Sequence, residues 1–131
     1  MTQAATLPEA TAGGLAVSAG AVSPPATLDT DALRRYVKSD LSPLVRRVDL
    51  DGEYPETVMR GLAPFGTYDR HLSKINATRT VDAAGAIEAM AVVGETCLST
   101  AFCMWCHDAC GWYLENTENE TLRQTYLGAI R

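Results

Sequence analysis

The sequence predicts an all-α protein, an antiparallel helical bundle of about five helices behind a disordered N-terminal leader. Two observations carry this expectation. Apolar residues recur with the 3.6-residue helical period in separate stretches between Leu28 and Ile130. No stretch alternates as a strand would, and the breaks between periodic stretches fall at Pro, Gly and capping residues.

Residues 1–27 are Ala, Thr, Gly, Ser and Pro with almost no charge and no aromatic side chain, and read as a disordered leader. Order begins near Leu28, where Asp29 or Thr30 can cap a helix and Asp31 suits its first turn. Leu33, Val37 and Leu41 then fall on one face. Pro43 lacks a backbone donor and should kink or restart the helix, with Ser42 as a new cap. Leu44, Val45 and Val48 continue the stripe to a turn at Gly52. Tyr54-Pro55-Glu56 opens a second helix with Val58, Met59 and Leu62 inward; Pro64 makes its last turn irregular and Gly66 stops it. Residues 67–80 show no period and read as a loop of low order. Ile87, Met90, Ala91 and Gly94 follow the helical period, and Ser99 is placed to cap a new helix. From Thr100 to Leu114 the chain is apolar on nearly all sides, as in a helix central to a larger assembly. A final amphipathic helix, Glu120 to Ile130, should turn Leu122, Tyr126, Leu127 and Ile130 inward.

Composition narrows the function. A length of 131 residues suits one domain, and an apolar fraction of 47% can supply its core. The net charge of −5 and the absence of any basic run longer than two residues argue against a nucleic-acid or anionic-membrane binder. There is no run of apolar residues long enough to span a bilayer and no signal-like leader, so the expected compartment is the cytoplasm. Cys97, Cys103, Cys106 and Cys110 are then expected as reduced thiols.

Three stretches resemble one known family. The run from Leu41 to Pro55, LSPLVRRVDLDGEYP, is similar to the first helix and following turn of acyl-CoA dehydrogenases, including a Pro at the position of Pro43 and an acidic-Gly-Glu-aromatic-Pro turn. Pro55 to Gly66 resembles that family's second helix, and Ala86 to Arg131 its long central helices and the final helix ending in Tyr-Leu. One departure is local: the family's glycine-pair loop is replaced by residues 67–80, which contain no glycine.

The resemblance implies that residues 28–131 are the family's N-terminal helical domain, with a β-domain and a C-terminal helical domain supplied outside this chain. It implies FAD as cofactor, an acyl-CoA-type substrate, homo-oligomeric assembly, and oxidation of the CH–CH bond of an acyl thioester. It also implies that most flavin contacts and the proton-abstracting carboxylate lie elsewhere, so no catalytic residue is assigned here and the domain is not competent alone. By position, Phe102, Trp105, Cys106 and Ala109 would line the acyl cavity, sharing a face by i, i+3, i+4, i+7 spacing. The large Phe102 and Trp105 would shorten or reshape that cavity. A same-fold flavin-dependent monooxygenase or oxidase, and a non-catalytic helical interaction domain, are the alternatives.

Other motifs point elsewhere. Cys103-Met-Trp-Cys106-His107 matches a haem-attachment pattern but sits inside an apolar helix without an export signal. Cys103, Cys106 and Cys110 share a helix face, yet one straight helix cannot wrap zinc, so no metal site is assigned. His71 and His107 have no Ser or carboxylate constellation that spacing supports, and Glu88 with Glu95 reads as a solvated face.

Overall fold

The computed structural model describes residues 27–75 and 80–130; the predicted leader lies outside the described residues but for Thr27. The first helical segment begins at α1, Thr30–Tyr36, where the Asp29 carboxylate accepts from the Ala32 N–H at 2.9 Å. Leu33, Val37 and Leu41 are buried as the spacing predicts. Pro43 does not restart the helix. The backbone widens into one π turn over Val37–Leu41, where the Ser42 N–H donates to the Val37 carbonyl. It then tightens to a 3₁₀ turn, Ser42–Leu44, and continues as α2, Val45–Asp51. The changed pitch accommodates the missing donor without a break, and Ser42 makes no capping bond.

Gly52 closes α2 in the left-handed region at φ 69°, which a residue with a Cβ rarely adopts. The second segment, α3, Glu56–Leu62, buries Val58, Met59 and Leu62. It ends irregularly in a 3₁₀ turn at Pro64 and stops at Gly66, φ 64°. Both endings agree with the sequence reading.

The loop after Gly66 departs from expectation. Within 67–75, Thr67, Tyr68, Arg70 and Leu72 are buried. The Tyr68 hydroxyl donates to the Met59 carbonyl at 2.7 Å and Thr67 Oγ1 to the Leu62 carbonyl. Arg70 pairs with Asp82 at 2.9 Å. These tertiary bonds order a segment that has no helical period of its own.

Two helices make the centre, α4, Ala83–Gly94, and α5, Leu98–Asn116, joined by a short turn and packed on each other, with α4 also against α1. Asp82 caps α4 through the Gly85 N–H. Ser99 does not cap α5: the Cys97 thiol accepts from the Thr100 N–H at 3.4 Å, while Ser99 donates to Asp49. The last segment is α6, Glu120–Tyr126, capped by Asn119 and continued by a 3₁₀ turn, Leu127–Ile130.

The buried faces of α4 and α5 are the main surprise. In α4 it is Ala86, Ala89, Val92 and Val93 that enter the core, while Ile87 and Ala91 face outward. In α5 the buried residues are Thr100, Ala101, Met104, Asp108, Gly111 and Glu115. The aromatic residues of α5 point out. At Gly111 the loop and the last turn pack directly on α5: a Cβ there would meet Leu72 Cδ1 at 3.0 Å and Ile130 Cγ2 at 3.1 Å. In the last segment Leu127 and Ile130 are buried, whereas Leu122 and Tyr126 are exposed rather than inward. Taken as five continuous segments, the described residues form an all-α antiparallel bundle without strands, and no helix among them is long and apolar enough to cross a membrane.

Candidate functional site

Phe102, Trp105, Cys106 and Ala109 do lie on one side of α5, three of them exposed and Ala109 half-buried. Phe102 is 61% exposed, and its ring stacks on Trp105 with centroids 5.6 Å apart and planes at 22°. Opposite them, the outward stripe of α4 (Ile87, Met90, Ala91, Gly94) forms the other wall. Together with Leu98 and Ala101 these residues enclose an apolar groove of about 790 Å³. The periodic stripe seen in the α4 sequence is therefore a groove wall rather than a core face.

The structure also divides the four predicted residues. Phe102 and Trp105 line the α4–α5 groove, whereas Cys106 and Ala109 open onto a second groove of about 780 Å³ with Trp112, Tyr113 and Leu122. Trp105 borders both and acts as the partition between them.

Spacing gave His71 no carboxylate partner and did not single out Asp108, yet the fold brings the two together. His71, from the 67–75 loop, places Nε2 2.8 Å from the backbone carbonyl of Asp108. A carbonyl oxygen only accepts, so Nε2 carries the proton and donates. The Asp108 side chain is 5% exposed, and neither carboxylate oxygen has a hydrogen-bond partner among the described residues; His71 Nδ1 is buried in the same condition. Burial disfavours the charged form and pushes the Asp108 carboxyl up to about 7. Both residues line a slot of about 210 Å³ between the loop, α4 and α5. The one available sequence signal was an acid inside an otherwise apolar helical stretch.

Glu115, also buried, accepts from the backbone N–H of Lys74, and Lys74 Nζ donates to the Glu115 carbonyl, so the loop is strapped to α5 at two points. Asp82 anchors the other end of the loop. The Gly85 N–H and then the Arg70 guanidinium hold its carboxyl below the usual range.

In the cysteine-histidine motif Cys103 and His107 take part in packing, while Cys106 is exposed. Cys103 is half-buried, and burial raises its thiol first among the causes. His107 Nε2 lies 2.8 Å from the Ile130 carbonyl, and its ring packs on Tyr68 with centroids 4.4 Å apart. No group of three His, Cys, Asp or Glu side chains placed to hold a metal occurs among the described residues. Glu95 pairs with Arg34, in keeping with a solvated face.

A flavin dinucleotide needs donors for its pyrophosphate, from an open helix start or converging cations. Here α1, α4, α5 and α6 each begin on their own side-chain cap, and two of those caps, Asp29 and Asp82, are acidic. Arg34, Arg47, Arg60, Arg70 and Arg123 are each paired with a carboxylate. Arg35, Lys38 and Arg46 are exposed cations outside these pairs, but none lines the grooves or the slot, which by themselves do not fit the group.

These features define a helical domain with an apolar, aromatic-rimmed groove between its two central helices. Residues 28–131 match the family model "Acyl-CoA dehydrogenase, N-terminal domain", and the chain belongs to that family. Comparison with curated proteins and with solved structures finds no match.

Proposed function

We propose that this domain is the N-terminal part of an FAD-dependent oxidoreductase that oxidises the CH–CH bond of an acyl thioester, and that its α4–α5 groove is one wall of the acyl cavity. The observation that carries this reading is the apolar groove itself, about 790 Å³, formed where Phe102 and Trp105 of α5 meet the outward stripe of α4. Family membership supplies the context. A flavin held elsewhere would supply the redox chemistry.

No step of that reaction is assigned to residues of this domain. Their part is to bind the acyl chain by apolar contact, fix its direction against Trp105 and keep water from it. Trp105, as the partition between two grooves, limits how far a chain runs along α5. The same wall serves a dehydrogenase, an oxidase or a monooxygenase of this fold. A β-domain and a C-terminal helical domain, or a partner chain, would close the cavity.

The chain contains two tryptophans, Trp105 and Trp112. Titration with a long-chain acyl thioester should change their fluorescence, and free coenzyme thiol should not. Trp105→Ala should weaken the response at least ~10-fold, the ~1.4 kcal/mol expected of lost aromatic contact. An equal response to thioester and free thiol would refute the acyl-wall reading. A second reading, a helical interaction domain, is favoured by exposed Trp112 and Tyr113, which invite a covering partner or second copy. Concentration-dependent dimerisation without acyl binding would support it.

A further inference from the structure

The Asp108 carboxylate is the buried group that the acyl-wall reading leaves without a role. An unpaired buried carboxylate is costly and is retained where something answers it. Its surroundings indicate what that is. Both Asp108 oxygens and His71 Nδ1 lack partners among the described residues. Nε2 donates to the Asp108 carbonyl, which leaves Nδ1 as the ring's unpartnered atom. Three buried polar atoms without partners thus belong to two residues that line one slot.

The slot's remaining walls are apolar. Trp105 and Trp112 flank it, one helical turn to either side of Asp108, and Ile87 and Met90 border it from α4. Ile87, Met90 and Trp105 also line the larger α4–α5 groove, so slot and groove are neighbours that share these walls. A hydroxyl brings a single donor. A primary ammonium brings three, together with the charge a carboxylate pairs with and that indole faces attract.

We propose that this slot receives the primary ammonium end of an elongated apolar molecule, with Asp108 as its counter-ion, His71 Nδ1 as a further acceptor, and the apolar body lying along the α4–α5 groove. The inference rests on the acyl-wall reading for the body of the ligand and adds its polar end: the favoured acyl group carries a terminal amine.

The test compares three probes of one chain length on the purified 131-residue protein: hexylamine, hexanol and hexyltrimethylammonium. Binding is followed by calorimetry and by Trp105/Trp112 fluorescence. Hexylamine should bind at least ~10-fold more tightly than either other probe, and Asp108→Asn should remove the difference. The quaternary probe keeps the charge but has no N–H donor, so general attraction to an acidic protein would make it bind like the amine. Equal binding of amine and quaternary probe, or of amine and alcohol, overturns the ammonium site and leaves the apolar groove standing. Absence of binding by all three overturns it as well and counts against the groove reading too. The wild-type comparison decides the question even where Asp108→Asn fails to fold.

Discussion

Asp108 makes the stability of this domain depend on pH in a direction opposite to that of most carboxylates. Its carboxyl rises from 3.8 to about 7 on folding because burial disfavours the charge. Below pH 3.8 both states hold the proton and Asp108 takes nothing from the fold's stability. Between 3.8 and 7 the unfolded chain has released the proton while the folded one retains it, so stability falls as pH rises. Each pH unit in that window is worth about 1.4 kcal/mol, so the loss approaches about 4 kcal/mol by pH 7 and then levels off. His71 and Trp112 face the slot from the loop and α5, Tyr68 lies close enough to feel the charge, and the α4 wall is Ala83, Ala86, Ile87 and Met90. Urea unfolding at a series of pH values from 4 to 8 measures the effect. Wild type should lose stability steadily to pH 7, and Asp108→Asn should flatten the curve and be the more stable protein at pH 8. A flat wild-type curve, or the same slope in Asp108→Asn, would refute the reasoning.

Other perturbations test the packing. Met104 is fully buried, so Met104→Ala should cost about 2–5 kcal/mol in chemical denaturation. A Cβ at Gly61 would overlap the Tyr36 hydroxyl, which donates to the Val58 carbonyl at 3.2 Å; Gly61→Ala should therefore cost about 1–3 kcal/mol, read as a lower Tm. Asp82→Ala removes the α4 cap and the Arg70 partner, and should cost about 1 kcal/mol for the cap alone. Glu115→Ala removes the side-chain acceptor of the Lys74 N–H and leaves the backbone-carbonyl bonds of the loop in place, so hydrogen exchange at Lys74 should quicken at least ~10-fold while that of α1 changes little.

The legible parts of this fold were those decided by neighbours in sequence. Leu33, Val37 and Leu41 are large aliphatics at helical spacing with charged residues between them, so only one face could be buried. Asp29, Gly52 and Gly66 act within a turn of themselves, and each sits where its chemistry placed it. In α4 and α5 periodicity revealed the helix but not its phase. Both are apolar around most of their circumference, so spacing alone does not choose the buried face, and Ile87, Phe102 and Trp105 are left for the groove. The 67–75 loop was opaque for a different reason. It is ordered by bonds to distant residues, His71 to Asp108 and Lys74 to Glu115, which no local pattern announces. For the site, the four α5 residues were legible as a face, but Trp105's role as a partition needed α4 and α6 in place.

The central claim is that the α4–α5 groove holds an acyl chain. It is tested most directly by photocrosslinking with an acyl thioester bearing a diazirine at the end of its chain, followed by peptide mapping. The account predicts label on the groove walls, at Ile87, Met90, Phe102 and Trp105, competed away by unmodified acyl thioester. Label spread evenly over the exposed surface, or concentrated on the far face at α2, would contradict it.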